Sequence, residues 1–318
     1  MPDAFDALCC VGWGIEGCGV AARRPAMRSC FPLMLVCCAG LAHADLIAHW
    51  RFDETPGSLL AMDSAGSYYG TVQGQAAFVP GAGVAGGAIS LHRATNDLVN
   101  MGNILDLTNT SFTISLWMKT TDPGASYPLA KHRSGVVAGW IIAIGQTGNV
   151  YGQPDKPWFY NGNYPGQEVN AQTVVNDGEW HHVCVVFVVG VEKRIYVDGA
   201  PAEGTNIANG FSPIDASLLV GGIDIGGNPT GLFEGMVDDV QIYDRPFSDS
   251  DVDFLYQNPG QSACGADFNR DDILNFFDVQ AFLQVFSGHE SRADMNQDGL
   301  FDFFDAQAFL AAFSAGCA

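Results

Sequence analysis

Residues 266–287 return 27 positions later as 293–314, and this duplication restricts the C-terminal end more tightly than any other feature. ADFNRDDILNFFDVQAFLQVFS and ADMNQDGLFDFFDAQAFLAAFS agree at thirteen of 22 positions. In both copies oxygen-bearing side chains fall at loop positions 1, 3, 5, 9 and 12. They are Asp267, Asn269, Asp271, Asn275 and Asp278 in the first, and Asp294, Asn296, Asp298, Asp302 and Asp305 in the second. A hard cation collects about six to eight oxygens, and a loop wound around it turns alternate side chains inward, with a backbone carbonyl at position 7. Ile273 and Leu300 occupy that position. Gly299 suits the sharp turn at position 6, where the first copy has Asp272. One acidic run before a helix is an ordinary surface loop; two in register predict paired Ca²⁺ loops. Val279, Phe282, Leu283 and Phe286 then follow helical spacing, echoed by Phe309, Leu310 and Phe313, which predicts a buried face on each helix. Phe276 falls near that face, while Phe277 and its counterpart Phe304 point away from it.

The chain ahead of this repeat has a different grammar. Short apolar runs alternate with Gly, Asn, Asp or Pro: Leu46–Phe52, Phe112–Thr120, Trp140–Ile144, His181–Val189, Arg194–Val197 and Met236–Tyr243. In FTISLWMKT, Phe112, Ile114, Leu116 and Met118 share one face, and Thr113, Ser115 and Trp117 the other. Asp198-Gly199 carries a tight-hairpin signal. Only 248–257 reads as helix, with Ser248 as N-cap. The fold class expected is mainly β, a two-sheet antiparallel jelly-roll sandwich over 45–257. A small α-helical calcium-loop domain over 264–318 follows a linker at 258–263.

Arg23, Arg24 and Arg28 precede the apolar run Cys30–Leu41, which ends Ala42-His43-Ala44. A positive flank, a core of about 12 residues and a small-x-small end predict an export signal within 1–44, with a start at Met27 open. The expected location is therefore secreted, extracellular or at the cell surface. Cys184 lies in an apolar strand and reads as a free thiol. Cys264 and Cys317 bracket the repeat, and their oxidation would stabilise it by about 4 kcal/mol. A net charge of −21 leaves no basic track for a phosphate backbone, which excludes nucleic acid as partner. No later segment is long and apolar enough to span a membrane.

Several runs carry family resemblances. WRFDE (50–54), DSAG (63–66), FTISLW (112–117), GEWHHV (178–183), IYVDG (195–199) and FEGMVDDV (233–240) resemble the laminin-G-like, concanavalin A-like jelly-roll family. That resemblance implies a binding module, sometimes with a structural Ca²⁺ between first and last strands, for which Asp53 and Asp238 are the matching residues. The tail resembles a GC-type dockerin, with two Ca²⁺ loops each followed by one helix between flanking cysteines. That implies docking onto a cohesin-like scaffold through loop positions 10 and 11. Here these are Phe276, Phe277, Phe303 and Phe304 in place of small hydroxyl residues, so the partner surface expected is apolar.

No paired-carboxylate strand motif of the glycosidase kind occurs; Glu234 and Asp238 are the nearest pairing. His181 and His182 are adjacent on a strand and face opposite ways. The stretch 151–166 sets Trp158, Tyr160 and Tyr164 beside Asp155, Asn161 and Asn163. Aromatic faces stack on sugar rings while short polar groups bond hydroxyls; equally, WFYN is a strand whose rings fill a core. The first reading is a secreted, non-catalytic, glycan-binding module docked on a scaffold through Ca²⁺. Alternatives are an adhesion or assembly protein whose sandwich binds protein, and a polysaccharide-degrading glycosidase or lyase.

Overall fold

The computed structural model describes residues 46–133, 138–145, 152–162, 168–225, 228–269, 273–290, 293–295 and 299–316. These belong to one compact unit. The expected export signal, with the Met27 start, lies outside the described residues.

Eighteen strands occur among the described residues. The first nine are β1 Leu46–Trp50, β2 Leu60–Ala61, β3 Gly70–Gln73, β4 Ala77–Val79, β5 Ala88–Leu91, β6 Leu98–Asn100, β7 Phe112–Lys119, β8 Ser126–Lys131 and β9 Trp140–Ile144. The rest are β10 Pro157–Asn161, β11 Val169–Asn170, β12 Trp180–Val188, β13 Glu192–Val197, β14 Gly204–Asn206, β15 Leu218–Val220, β16 Ile223–Ile225, β17 Asn228–Thr230 and β18 Gly235–Tyr243. One sheet runs β14-β13-β12-β7-β18-β5-β4, with β1 also on β18; the second runs β11-β10-β9-β8-β15-β6-β3-β2. All named strand pairs are antiparallel.

The alternation read in β7 is what closes the sandwich. Phe112, Ile114, Leu116 and Met118 enter the inter-sheet core with Val183, Val185 and Phe187 of β12 and Ile142, Phe159 and Val220 of the facing sheet. Phe112 and Phe187 stack at 4.8 Å. Thr113, Ser115 and Trp117 point out of the first sheet, yet they too are buried. Helix α1, Asp249–Gln257, covers that outer face: Val252 and Leu255 pack with Cys184, Val186, Tyr196 and Tyr243, and Tyr256 stacks on Trp117 at 5.7 Å. Ser248 caps α1 in a reciprocal box with Asp251.

Two expectations need revision. Asp198 and Gly199 both take positive φ, as a tight turn requires, but the partner strand starts only at Gly204. Pro201 has no N–H to donate, so the ladder cannot resume directly after the turn. The segment 258–263, expected as a linker, is sewn onto the sandwich. Gly260 N donates to Asp239 Oδ2 (2.7 Å), Arg51 to Gly260 O (2.8 Å), Gln241 to Gln261 O (3.0 Å) and Ala263 N to the Tyr243 hydroxyl (3.0 Å).

The repeat forms helices α2, Phe276–Ser287, and α3, Phe303–Ala315. Phe282 and Phe309, equivalent in the two copies, stack at 4.1 Å with ring planes 1° apart. Phe268 meets both edge-on, at 5.2 and 5.4 Å. The seam is narrower than the apolar pattern predicted. Leu283 and Leu310 are 57% and 58% exposed, because each sits about 100° around the helix from its buried neighbour. Phe276, expected near the seam, is also exposed.

Candidate functional site

The aromatic stretch forms a two-sided strand. In β10 Phe159 enters the inter-sheet core, while Trp158 and Tyr160 emerge on the other face of the second sheet with Ala130, Ile141, Ala143 and Ile223. Tyr127 joins them, and His132 meets Tyr160 edge-on at 5.8 Å. Burial holds the His132 imidazole below its ordinary pKa and raises the Tyr160 phenol. The band is packed tightly, with Trp158 4% and Tyr160 7% exposed. Gly152 lies against the indole so closely that a Cβ there would come within 2.6 Å of it.

Strand alternation separates Asn161 from this band. It is fully buried on the opposite side, donating to Asn209 O (2.8 Å) and accepting from Lys193. Burial pushes the Lys193 pKa down to about 8. Asp155 sits half-buried in a turn with φ 61°, its backbone tied to Gly145 and Val175. Asn163 and Tyr164 lie outside the described residues. Tyr127 and His132 escaped the sequence reading because Pro128 marks β8 as an improbable strand.

His181 and His182 do part company across β12. His181 is clasped by Asp198 (2.8 Å) and Asp177 (3.2 Å), and the Asp198 hydrogen bond leads in raising its pKa. His182 bonds Ser115 Oγ at 2.8 Å beneath Trp117 and Tyr256. Burial lowers its pKa to about 4.

The proposed first-and-last-strand acids serve a glycine-rich loop, 81–87. Asp238 Oδ2 accepts from Val84 N (2.8 Å) and Ala85 N (3.3 Å), and Asp53 Oδ1 accepts from Gly87 N (2.6 Å). A Cβ on Gly83 or Gly86 would fall 2.4 or 2.1 Å from these carboxylates, so only glycine admits the approach. Asp238 is fully buried, and burial first, then Asp239, pushes its pKa up to about 7. These acids anchor backbone N–H groups of the glycine-rich loop.

The repeat loops have oxygen-rich ends. Asp278 and Asp305, at position 12, are fully buried. Asp278 accepts from Asn275 N (2.8 Å) and Asn269 N (3.2 Å); Asp305 accepts from Asp302 N (2.9 Å) and Met295 N (2.9 Å). Each thus closes its own loop from end to start. Asn275 and Asp302 cap α2 and α3 by accepting from Phe277 N and Phe304 N. Gly299 has φ +80° and donates to Asp294 Oδ2 at 2.9 Å, the turn expected at position 6. Asp267 is buried; Ile273 and Leu300 side chains are exposed. Asp271, Asp272, Asn296 and Asp298 lie outside the described residues. Among the described ones, no three His, Cys, Asp or Glu side chains converge as a metal position. Cys184 is a buried free thiol and Cys264 is disulfide-bonded; Cys317 lies outside the described residues.

Phe276, Phe277, Phe303 and Phe304 stand 73%, 63%, 73% and 60% exposed. No helix among the described residues is long and apolar enough to cross a membrane.

No curated protein matches the chain. Among solved structures, domain 4 of AbnA, a GH43 extracellular arabinanase from Geobacillus stearothermophilus in complex with arabinotriose, is 22% identical. The match covers 68% of this chain and all of that one, with a TM-score of 0.50. The binding domain of Paraclostridial Mosquitocidal Protein 1 (12% identity, TM-score 0.46, 65% of this chain and 52% of that one) also matches. So does that of botulinum neurotoxin serotype C1 (15%, 0.47, 67% and 51%). This chain spans about half the length of those toxin domains, and at such identities the likeness is one of fold. The model of the concanavalin A-like lectin/glucanases superfamily matches residues 93–253, from the loop after β5 into α1 and just over half of the chain. The chain belongs to that superfamily.

Proposed function

We propose that the sandwich is a glycan-binding module and that residues 264–318 are a Ca²⁺-dependent dockerin that mounts it, after export, on a cohesin-like scaffold. One observation carries the glycan reading. Trp158, Tyr160, Tyr127 and His132 form an aromatic band on the face of the second sheet turned away from the inter-sheet core; Trp158 and Tyr160 are buried within it, and Tyr127, half-buried, is the ring that reaches solvent. Superfamily membership and the end-to-end match to an arabinanase domain described with arabinotriose support it. Asn161 contributes to the fold behind that band, leaving Asp155 as the polar member beside it, with Asn163 and Tyr164 as further candidates.

The tail reading rests on its donor set. Asp267, Asn269, Asp271, Asn275 and Asp278, and Asp294, Asn296, Asp298, Asp302 and Asp305, with the Ile273 and Leu300 carbonyls, offer only hard oxygen, which suits Ca²⁺. The ion would neutralise carboxylates that otherwise repel one another. A Cys264–Cys317 disulfide would tie the two ends together. The exposed phenylalanine pairs support an apolar docking surface on the scaffold.

Retention of the full chain on immobilised arabinan, xylan and cellulose tests the first part. Retention on at least one, lost in Trp158→Ala and in the milder Tyr160→Leu, supports it; passage of the folded chain through all of them overturns it. Calorimetric Ca²⁺ titration of the full chain tests the second, with two sites expected and none refuting it.

A further inference from the structure

The outer face of the first sheet carries a second cluster. Ser90 lies on β5 with its side chain opposite to the core residues Ile89 and Leu91, and His92 follows two residues later on the same face. His92 Nε2 stands 3.5 Å from Ser90 Oγ, and its Nδ1 3.0 Å from Glu234 Oε1. Glu234 sits just before β18. Its second oxygen accepts from Arg93 N at 2.7 Å, and its backbone carbonyl accepts from Thr120 Oγ1 at 2.6 Å. Arg93 is itself held by Leu232 O (3.0 Å) and an ion pair with Asp122.

We propose that Ser90, His92 and Glu234 form a serine-type hydrolytic centre for small carboxylic esters, acetyl-sized acyl groups on exposed hydroxyls. The order of contacts is the one such chemistry needs: nucleophile to Nε2, orienting carboxylate to Nδ1. Loose nucleophile-to-base distances are usual before substrate binds. His92, foremost, and the Arg93 N–H hold the Glu234 carboxyl below the ordinary range, which keeps it ionised as an acceptor for Nδ1–H.

The three residues open on a cleft of about 240 Å³ shared with Lys119, Thr121, Gly178 and Met236. Met236 pairs with both Ser90 and Lys119, so all three lie on one rung and one face. The Lys119 ammonium has no ion-pair partner among the described residues, and it is the positive group available to an oxyanion. The cleft is open to water, which suits an ester with its good leaving group better than an amide.

In the first half-reaction Ser90 Oγ bonds to the ester carbonyl carbon as its proton passes to His92 Nε2. The tetrahedral oxyanion collapses, the ester C–O bond breaks, and the leaving alcohol takes the proton from Nε2. Water then adds to the acyl-serine with His92 as base, releasing the carboxylic acid and restoring Ser90. The Glu234 carboxylate bonds His92 and Arg93 N, so Glu234 is a positioning residue. This centre does not depend on the glycan-binding reading, since it lies on the other sheet.

The test uses the full chain, p-nitrophenyl acetate as substrate and a fluorophosphonate probe. Expected results are stoichiometric labelling mapped to Ser90 and turnover that falls at least about 10²-fold in Ser90→Ala and His92→Ala. Glu234→Gln should lower kcat and move the acidic limb of the pH profile, while the remote Ser58→Ala should leave turnover unchanged. No labelling of the wild-type chain, labelling at another residue, or undiminished turnover in Ser90→Ala would each overturn the proposal. Labelling of the wild type needs no variant to fold.

Discussion

His181 and His182 are neighbours in sequence, and the structure makes them titrate in opposite directions. His182 is fully buried, and burial lowers its pKa from 6.5 to about 4. The native state therefore refuses a proton that the unfolded chain accepts, so this residue costs stability as pH falls below 6.5. With about 1.4 kcal/mol per pKa unit, the cost reaches about 2 kcal/mol at pH 5 and about 3 kcal/mol at pH 4. That is a sizeable share of the 5–15 kcal/mol typical of domains. His181 is raised instead, chiefly by Asp198 and then by Asp177. Its contribution is fully present below 6.5 and fades as pH rises through the elevated native value. The assay is an NMR titration of labelled imidazoles, paired with urea unfolding from pH 4 to 8 of wild type and His182→Phe. The difference between the two stability curves removes groups common to both. The phenyl ring keeps the contacts with Trp117 and Tyr256, so the loss of the Ser115 bond adds only a pH-independent offset. His182 should remain neutral to about pH 4, His181 should titrate above 6.5, and the difference curve should favour the variant by about 2 kcal/mol more at pH 5 than at pH 8. Titration of His182 near 6.5, or a flat difference curve, would refute the reasoning.

Phe282→Ala removes a ring that is 2% exposed and stacked on Phe309, so about 3–5 kcal/mol should be lost and the repeat should become protease-sensitive. Phe277→Ala, five residues earlier and 63% exposed, should stay within about 0.5 kcal/mol of wild type by the same digestion assay. A chelator should loosen the repeat and leave the sandwich folded. All tryptophans and tyrosines lie before residue 257, so indole emission should hold steady in EDTA while proteolysis accelerates within 264–318. Gly86→Ala should destabilise the chain by more than 1 kcal/mol in thermal melts, because it combines φ +84° with a Cβ 2.1 Å from Asp53 Oδ1.

The strands legible from sequence were those with one dominant period. FTISLWMKT reads correctly because its inward residues are uniformly large and apolar. The short strands β2, β4, β11 and β14, two or three residues each, carry no period and are held by their neighbours' ladders. Burial was less legible than position. Alternation assigns Thr113, Ser115 and Trp117 only to a side of the sheet; that α1 covers and buries that side is a tertiary fact. Trp158 and Tyr160 repeat the point on the other sheet.

The candidate sites divide along the same line. Loop positions in the repeat are local, so spacing alone could nominate Asn275, Asp278, Asp302 and Asp305, and their capping boxes follow from the same spacing. The Ser90, His92 and Glu234 cluster is not local. Glu234 is 142 residues from His92, and no motif links them. What joins them is the ladder β5 to β18, which sets Gly235 opposite Leu91. The ladder between β18 and β7 on the other side requires glycine there, since a Cβ on Gly235 would fall 2.2 Å from Lys119 O. The residue that lets the closing strand seat against β7 is thus the one that brings the carboxylate beside it up to the histidine, and folding and assembly of the cluster are a single event.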